Sequence, residues 1–149
     1  MDDATRAVRL IDLPVQLWDR ARQHADAMVR EFAFLTDDSG EVGKLAQQLM
    51  DVAQASETQY AHLNPEAEDL VEAALKRGDD HITVDVTVPV AFKQHILDAA
   101  PVLIQVDEYC RKGALLTLAT PDDLRGYWLW YLAEFVRQID GNPPMPWPG

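Results

Sequence analysis

The residues of this chain equipped for metal ligation or nucleophilic chemistry are few: four histidines, two serines and one cysteine. His24, His62, His81 and His95 are scattered. No two stand three or four apart, the spacing that puts two ligands on one helix face. His95 with Asp98 could share such a face, but two ligands do not make a site. No metal and no cofactor is therefore expected. Ser39 and Ser56 lie outside any strand-to-helix nucleophile elbow. Cys110 falls on an apolar stripe, where a thiol is a small inert core residue. The seven glycines form no phosphate-cradling loop. No catalytic residue is assigned, and the reading leans away from an enzyme.

Asp107 projects near the centre of an apolar helix face, where a carboxylate is costly unless paired. Arg111, four residues on, is placed to pair with it. His95, Asp107 and Tyr109 form the candidate set for a small-molecule pocket between helices and sheet, which is the alternative functional reading.

A sharper signal lies in the last helix. Leu124, Trp128, Tyr131, Leu132, Phe135 and Ile139 share one arc and form its core face. At 100° per residue Trp130 projects about 160° from the centre of that arc, beside Gly126, Ala133 and Arg137. A tryptophan there needs a cover. Either this subunit supplies it, or a partner or second copy does. The ending Pro143-Pro144-Met145-Pro146-Trp147-Pro148 favours a polyproline II conformation, suited to aromatic grooves. Trp130, Glu134, Arg137, Pro144, Pro146 and Trp147 are accordingly the candidate interaction residues, with Trp130 as apolar anchor.

The elements that must position these residues follow from periodicity and punctuation. Pro14 suits the first turn of a helix to about Leu35, with Leu17, Trp18, Ala21, Ala25, Met28 and Phe32 on one stripe. After the turn at 36–40, Val42, Leu45, Ala46, Leu49 and Met50 mark a second helix. Asn64-Pro65 caps and opens a third, with Leu70, Val71, Ala74 and Leu75 inward and Gly78 closing it. Ile82, Val84, Val86 and Val88 then alternate with polar residues, a strand signal. A lone strand leaves its amides unpaired, so it needs a partner: Val8–Leu13 or, second, Leu115–Ala119. Phe92, Ile96, Ala99, Leu103, Val106 and Cys110 trace a fourth helix, which Pro101 should kink. Pro121-Asp122-Asp123 launches the fifth. The expected fold is mainly α: about five helices with a two- or three-stranded β element, a single helical domain over 1–140 and a proline-rich tail over 141–149.

Composition sets the outer limits. At 149 residues and 48% hydrophobic content, a single domain can bury roughly 68–70% of its unfolded surface without a disulfide or metal. One cysteine fits a reducing compartment, and neither a signal peptide nor an apolar membrane span is read, so a cytoplasmic location is expected. The net charge of −12 repels phosphate backbones and argues against nucleic acid as a partner. Seven acids between Asn64 and Asp85 concentrate that charge, either as a solvated face or as a second docking surface.

Tyr109-Cys110-Arg111, Gly113, Leu115-Leu116, Leu118 and Pro121 stand together in the C-terminal third. Trp130-Tyr131-Leu132, Glu134-Phe135, Gln138, Gly141, Pro144 and Pro146-Trp147 follow. With the opening Arg9-Leu10, Leu13-Pro14-Val15, this pattern resembles small uncharacterised actinobacterial proteins that accompany serine-kinase anti-sigma factors and STAS-domain antagonists. The resemblance implies a non-enzymatic regulatory accessory of a partner-switching system, acting on another protein, with a homodimer as a further possibility. The kinase's nucleotide-binding boxes and the antagonist's phosphorylatable serine motif are both missing, so the chain matches neither component itself.

Overall fold

The computed structural model describes residues 4–113, 115 and 118–149. Among them the chain forms β1 (Thr5–Pro14), α1 (Val15–Ala33), α2 (Glu41–Gln59), α3 (Pro65–Arg77), β2 (His81–Pro89), α4 (Phe92–Arg111) and α5 (Asp122–Ile139). The fold is mainly α with a two-stranded antiparallel sheet. Of the two segments that could pair with the Ile82–Val88 strand, the N-terminal one does so. Leu116 and Thr117 of the other lie outside the described residues.

The sheet is in register from Thr5 opposite Pro89 to Leu10 opposite Val84, and resumes at Leu13 opposite Ile82. Three residues of β1 thus span two of β2, a bulge. Its cause is readable in the side chains. Val8 and Leu10 are buried on the inner face, and strict alternation would send Asp12 inward next. Asp12 instead takes a left-handed φ of 57°, a conformation Asp tolerates. Its N–H is received by the Thr83 hydroxyl at 3.1 Å. The extra residue shifts the phase, so Leu13 is buried in place of Asp12.

Two apolar cores result. The first joins the inner face of the sheet (Val8, Leu10, Leu13, Val84, Val88) to Val71 and Ala74 of α3 and to Tyr127, Phe135 and Ile139 of α5. The second joins Met28 and Phe32 of α1, Ala46 and Leu49 of α2, and Val106 and Cys110 of α4. α1 packs on both α2 and α5, and α4 does the same, so the four helices form a ring.

α4 runs as one helix with Pro101 inside it. Two local expectations need correction. Leu70 is 54% exposed; Ala67, Val71 and Ala74 carry the inner face of α3 instead. Asn64 precedes α3 but makes no side-chain cap. Both ends of its amide engage the backbone of Thr87: Nδ2 donates to the carbonyl at 2.9 Å and Oδ1 accepts the N–H at 2.9 Å. Gly78 closes α3 as expected, at φ 79°.

Candidate functional site

α5 is covered from two directions. Phe135 and Ile139 face the first core, while Tyr127, Glu134 and Gln138 are also buried, because β1 lies against α5. Gln138 reads the outer edge of β1 with its whole amide: Oε1 accepts the Arg9 N–H and Nε2 donates to the Arg9 carbonyl, both at 2.8 Å. Its Nε2 also donates to Glu134 at 3.0 Å.

The proline-rich tail continues this cover. Glu134, only 2% exposed, accepts from Arg137 Nη1 at 2.8 Å and from the Met145 N–H at 2.8 Å. Arg137 Nη2 donates to the Pro143 carbonyl at 3.1 Å, and the Trp130 indole N–H to the Met145 carbonyl at 3.2 Å. The Trp147 N–H donates to the Ile11 carbonyl of β1 at 3.0 Å. The Trp147 ring meets Trp130 edge-on at 5.5 Å and Tyr127 at 6.2 Å. Four of the tail's residues are prolines without an N–H, and the N–H groups of Met145 and Trp147 both reach the body. The outer backbone of Pro143 to Pro146 stays exposed.

Four of the six candidate interaction residues, Trp130, Glu134, Arg137 and Trp147, thus meet where the tail is seated, with Pro144 and Pro146 as exposed links between the anchored tail residues. Trp130 is half-buried, and its cover comes from its own chain. Tyr127 and Gln138 belong to the groove as well. The signal for Gln138 was the ladder Trp130, Glu134, Gln138 at intervals of four, which lays an indole, a carboxylate and an amide along one stripe, and Tyr127 stands one turn before Trp130 on the same side.

The candidate pocket set separates. His95 and Asp107 stand twelve residues apart on α4, about 18 Å along the axis, and Tyr109 packs edge-on against Phe32 at 5.9 Å in the second core. A small cavity of about 200 Å³ does lie between sheet and helices, lined by Leu13, Trp18, Tyr60, Val71, Val84 and Phe92 among others, without any of the three. A larger one of about 470 Å³ lies between α1, α4 and α5 and includes Asp107.

Asp107, like Glu134, accepts three hydrogen bonds from the described residues. It accepts from Arg111 Nε at 3.0 Å, from the Thr120 N–H at 2.6 Å, and from Arg125 Nη2. Burial alone would raise its pKa; these bonds overcome it and hold the carboxyl at about 2. Arg111 is the expected partner. Arg125, eighteen residues away in sequence, was outside the reach of helical spacing.

Two hydroxyl–imidazole pairs invite a test as nucleophile and base. Ser56 Oγ and His95 Nε2 are 2.8 Å apart, but Ser56 sits inside α2, whose N–H groups are committed to the helix and offer no oxyanion donors. Tyr60 and Phe92 stack about the same imidazole at 4.9 and 5.9 Å. Burial lowers the His95 pKa, against the pull of Asp98. Thr120 Oγ1 and His24 Nε2 stand 3.3 Å apart, a long contact for proton transfer. Among the described residues no group of three His, Cys, Asp or Glu is placed to hold a metal ion, and no helix is long and apolar enough to cross a membrane.

No family model, curated protein or solved structure matches the chain.

Proposed function

We propose that this protein is a non-enzymatic regulatory domain that acts through protein–protein contact, its contact surface being the groove of Tyr127, Trp130, Glu134 and Arg137 beside the outer edge of β1. The groove takes a proline-rich segment. One observation carries this reading: the chain's own tail is seated there, with the N–H groups of Met145 and Trp147 donated to Glu134 and Ile11. Aromatic walls, a fixed carboxylate and an open strand edge are the means by which proline-rich and extended peptides are recognised. Gly141, at φ 95°, is the joint about which the tail would release. The resemblance to proteins accompanying serine-kinase anti-sigma factors makes a component of a partner-switching system the preferred partner.

The test is fluorescence anisotropy of a labelled peptide spanning 142–149, titrated with wild type and with full-length Trp147→Ala. The substitution weakens the resident tail. The tethered tail competes at roughly millimolar effective concentration, so the variant should bind the peptide at least tenfold more tightly than wild type. Met145→Pro, which removes the N–H received by Glu134, should act in the same direction and serves if Trp147→Ala unfolds. A folded variant that ignores the peptide would make the tail a fixed structural element and end this reading.

A further inference from the structure

We infer that the cavity between α1, α4 and α5 is a binding site for a small amphipathic carboxylate, its apolar chain lying along the helices and its head held by Arg125 and Arg111. This site is independent of the tail groove, from which it shares no residue.

The size of the space comes first. A volume of about 470 Å³ falls within the roughly 300–1,000 Å³ of small-molecule sites. Its lining runs from Leu103 to Arg111 on α4 and from Ala21 to Met28 on α1. At 1.5 Å per residue these are stretches of about 12 and 10 Å. A partner helix of three turns extends about 16 Å and overruns both walls. A short molecule is the occupant whose length fits.

The walls divide by chemistry. Met28, Leu103, Leu124 and Trp128 give an apolar trough, while Ile104 and Leu129 stand at its mouth, 47% and 52% exposed. Exposed aliphatic side chains flanking a cavity lose water contact when a chain enters between them. At one end sit two guanidinium groups that share the single carboxylate of Asp107. Their side chains remain 37% and 43% exposed. Among the described residues Arg125 places one side-chain bond, on Asp107, and Arg111 places two, on Asp107 and the Thr120 carbonyl. A guanidinium has five donors, so both keep donors for a second acceptor. Glu108 also lines the cavity, so its two acids and two arginines balance in charge; what the site offers a ligand carboxylate is the unused guanidinium donors, in the planar, two-point geometry Arg favours.

Isothermal titration of the full-length protein with decanoate and with decanol, each below its aggregation limit, tests this. Decanoate should bind and decanol bind about tenfold more weakly, the difference expected of a charge-assisted hydrogen bond. Arg125→Met should abolish the difference, and Ala25→Trp, which fills the trough, should abolish both interactions. If Ala25→Trp does not fold, Leu129→Glu removes an apolar contact and sets a like charge at the mouth, so it should weaken decanoate more than decanol. No heat from either ligand, equal affinity for the two, or decanoate binding untouched by Arg125→Met and by the trough variants would each overturn the assignment.

Discussion

Replacing Asp107 by Asn tests whether the link between α4 and the start of α5 is electrostatic. Asn keeps the shape and can still accept the Thr120 N–H, but it removes the charge that Arg111 and Arg125 share. The carboxyl titrates at about 2 in the folded protein against 3.8 ordinarily. At 1.36 kcal/mol per pKa unit this is about 2 kcal/mol of stability at neutral pH. Severing a fully buried pair costs more, about 3–5 kcal/mol, yet both arginine side chains are over a third exposed and can recover water. The lower figure is therefore expected. Because the folded pKa is depressed, the contribution is complete above about pH 5 and drains as pH falls through 4 toward 2. About half should be gone at pH 3. Urea denaturation of wild type and Asp107→Asn at pH 7 and pH 3 reads both predictions. A gap under about 0.5 kcal/mol at pH 7, or one that stays constant down to pH 3, would refute the ion-network account.

Gln138→Glu is nearly isosteric, but it replaces the donor facing the Arg9 carbonyl and Glu134 with an acceptor. It should cost about 2–4 kcal/mol by the penalty of a buried unpaired group and a like-charge neighbour, more than Gln138→Ala does, as seen in the thermal midpoint. Cys110 is wholly buried, and burial pushes its thiol up to about 11, with the nearby Asp107 charge adding to the effect. A thiol reagent at pH 8 should accordingly label it only as fast as the protein opens, with a rate rising in step with urea and falling silent below the transition; rapid labelling of the native protein would place the thiol at the surface.

The parts of the fold legible in the sequence are those where one local rule acts alone. Val84 and Val86 alternate with polar residues and pair with Leu10 and Val8 as a half-buried strand should; Gly78 ends α3 in the left-handed conformation that a side chain would resist. The bulge at Asp12 was not legible, because only the pairing partner reveals that three residues must span two. The same holds for α5. A helical wheel assumes one covering layer, so it assigned a single core arc and left Trp130 outside. In the structure the sheet core and the β1–tail layer each claim a face, and the buried set therefore includes Glu134 and Gln138, which no hydrophobic arc would contain. Arg125 escaped for a related reason: its carboxylate lies on another helix, across a turn.

A two-stranded sheet leaves backbone groups of both strands without a neighbouring strand, and this protein meets that problem with side chains. Gln138 pairs with the N–H and C=O of Arg9 on one edge, and Asn64 pairs with those of Thr87 on the other. Each amide offers the donor and acceptor that a third strand would offer, at one residue. On the β1 side the tail adds a further bond, Trp147 to Ile11, two residues along the same edge. The amide of Gln138 and the tail are therefore parts of one device, a short substitute strand assembled from a helix side chain and a peptide end. That arrangement is what the proposed peptide recognition rests on: Glu134 and Gln138 are held by Arg137 and Arg9, and the tail segment held through Met145 and Trp147 is the part that the proposal has exchanging.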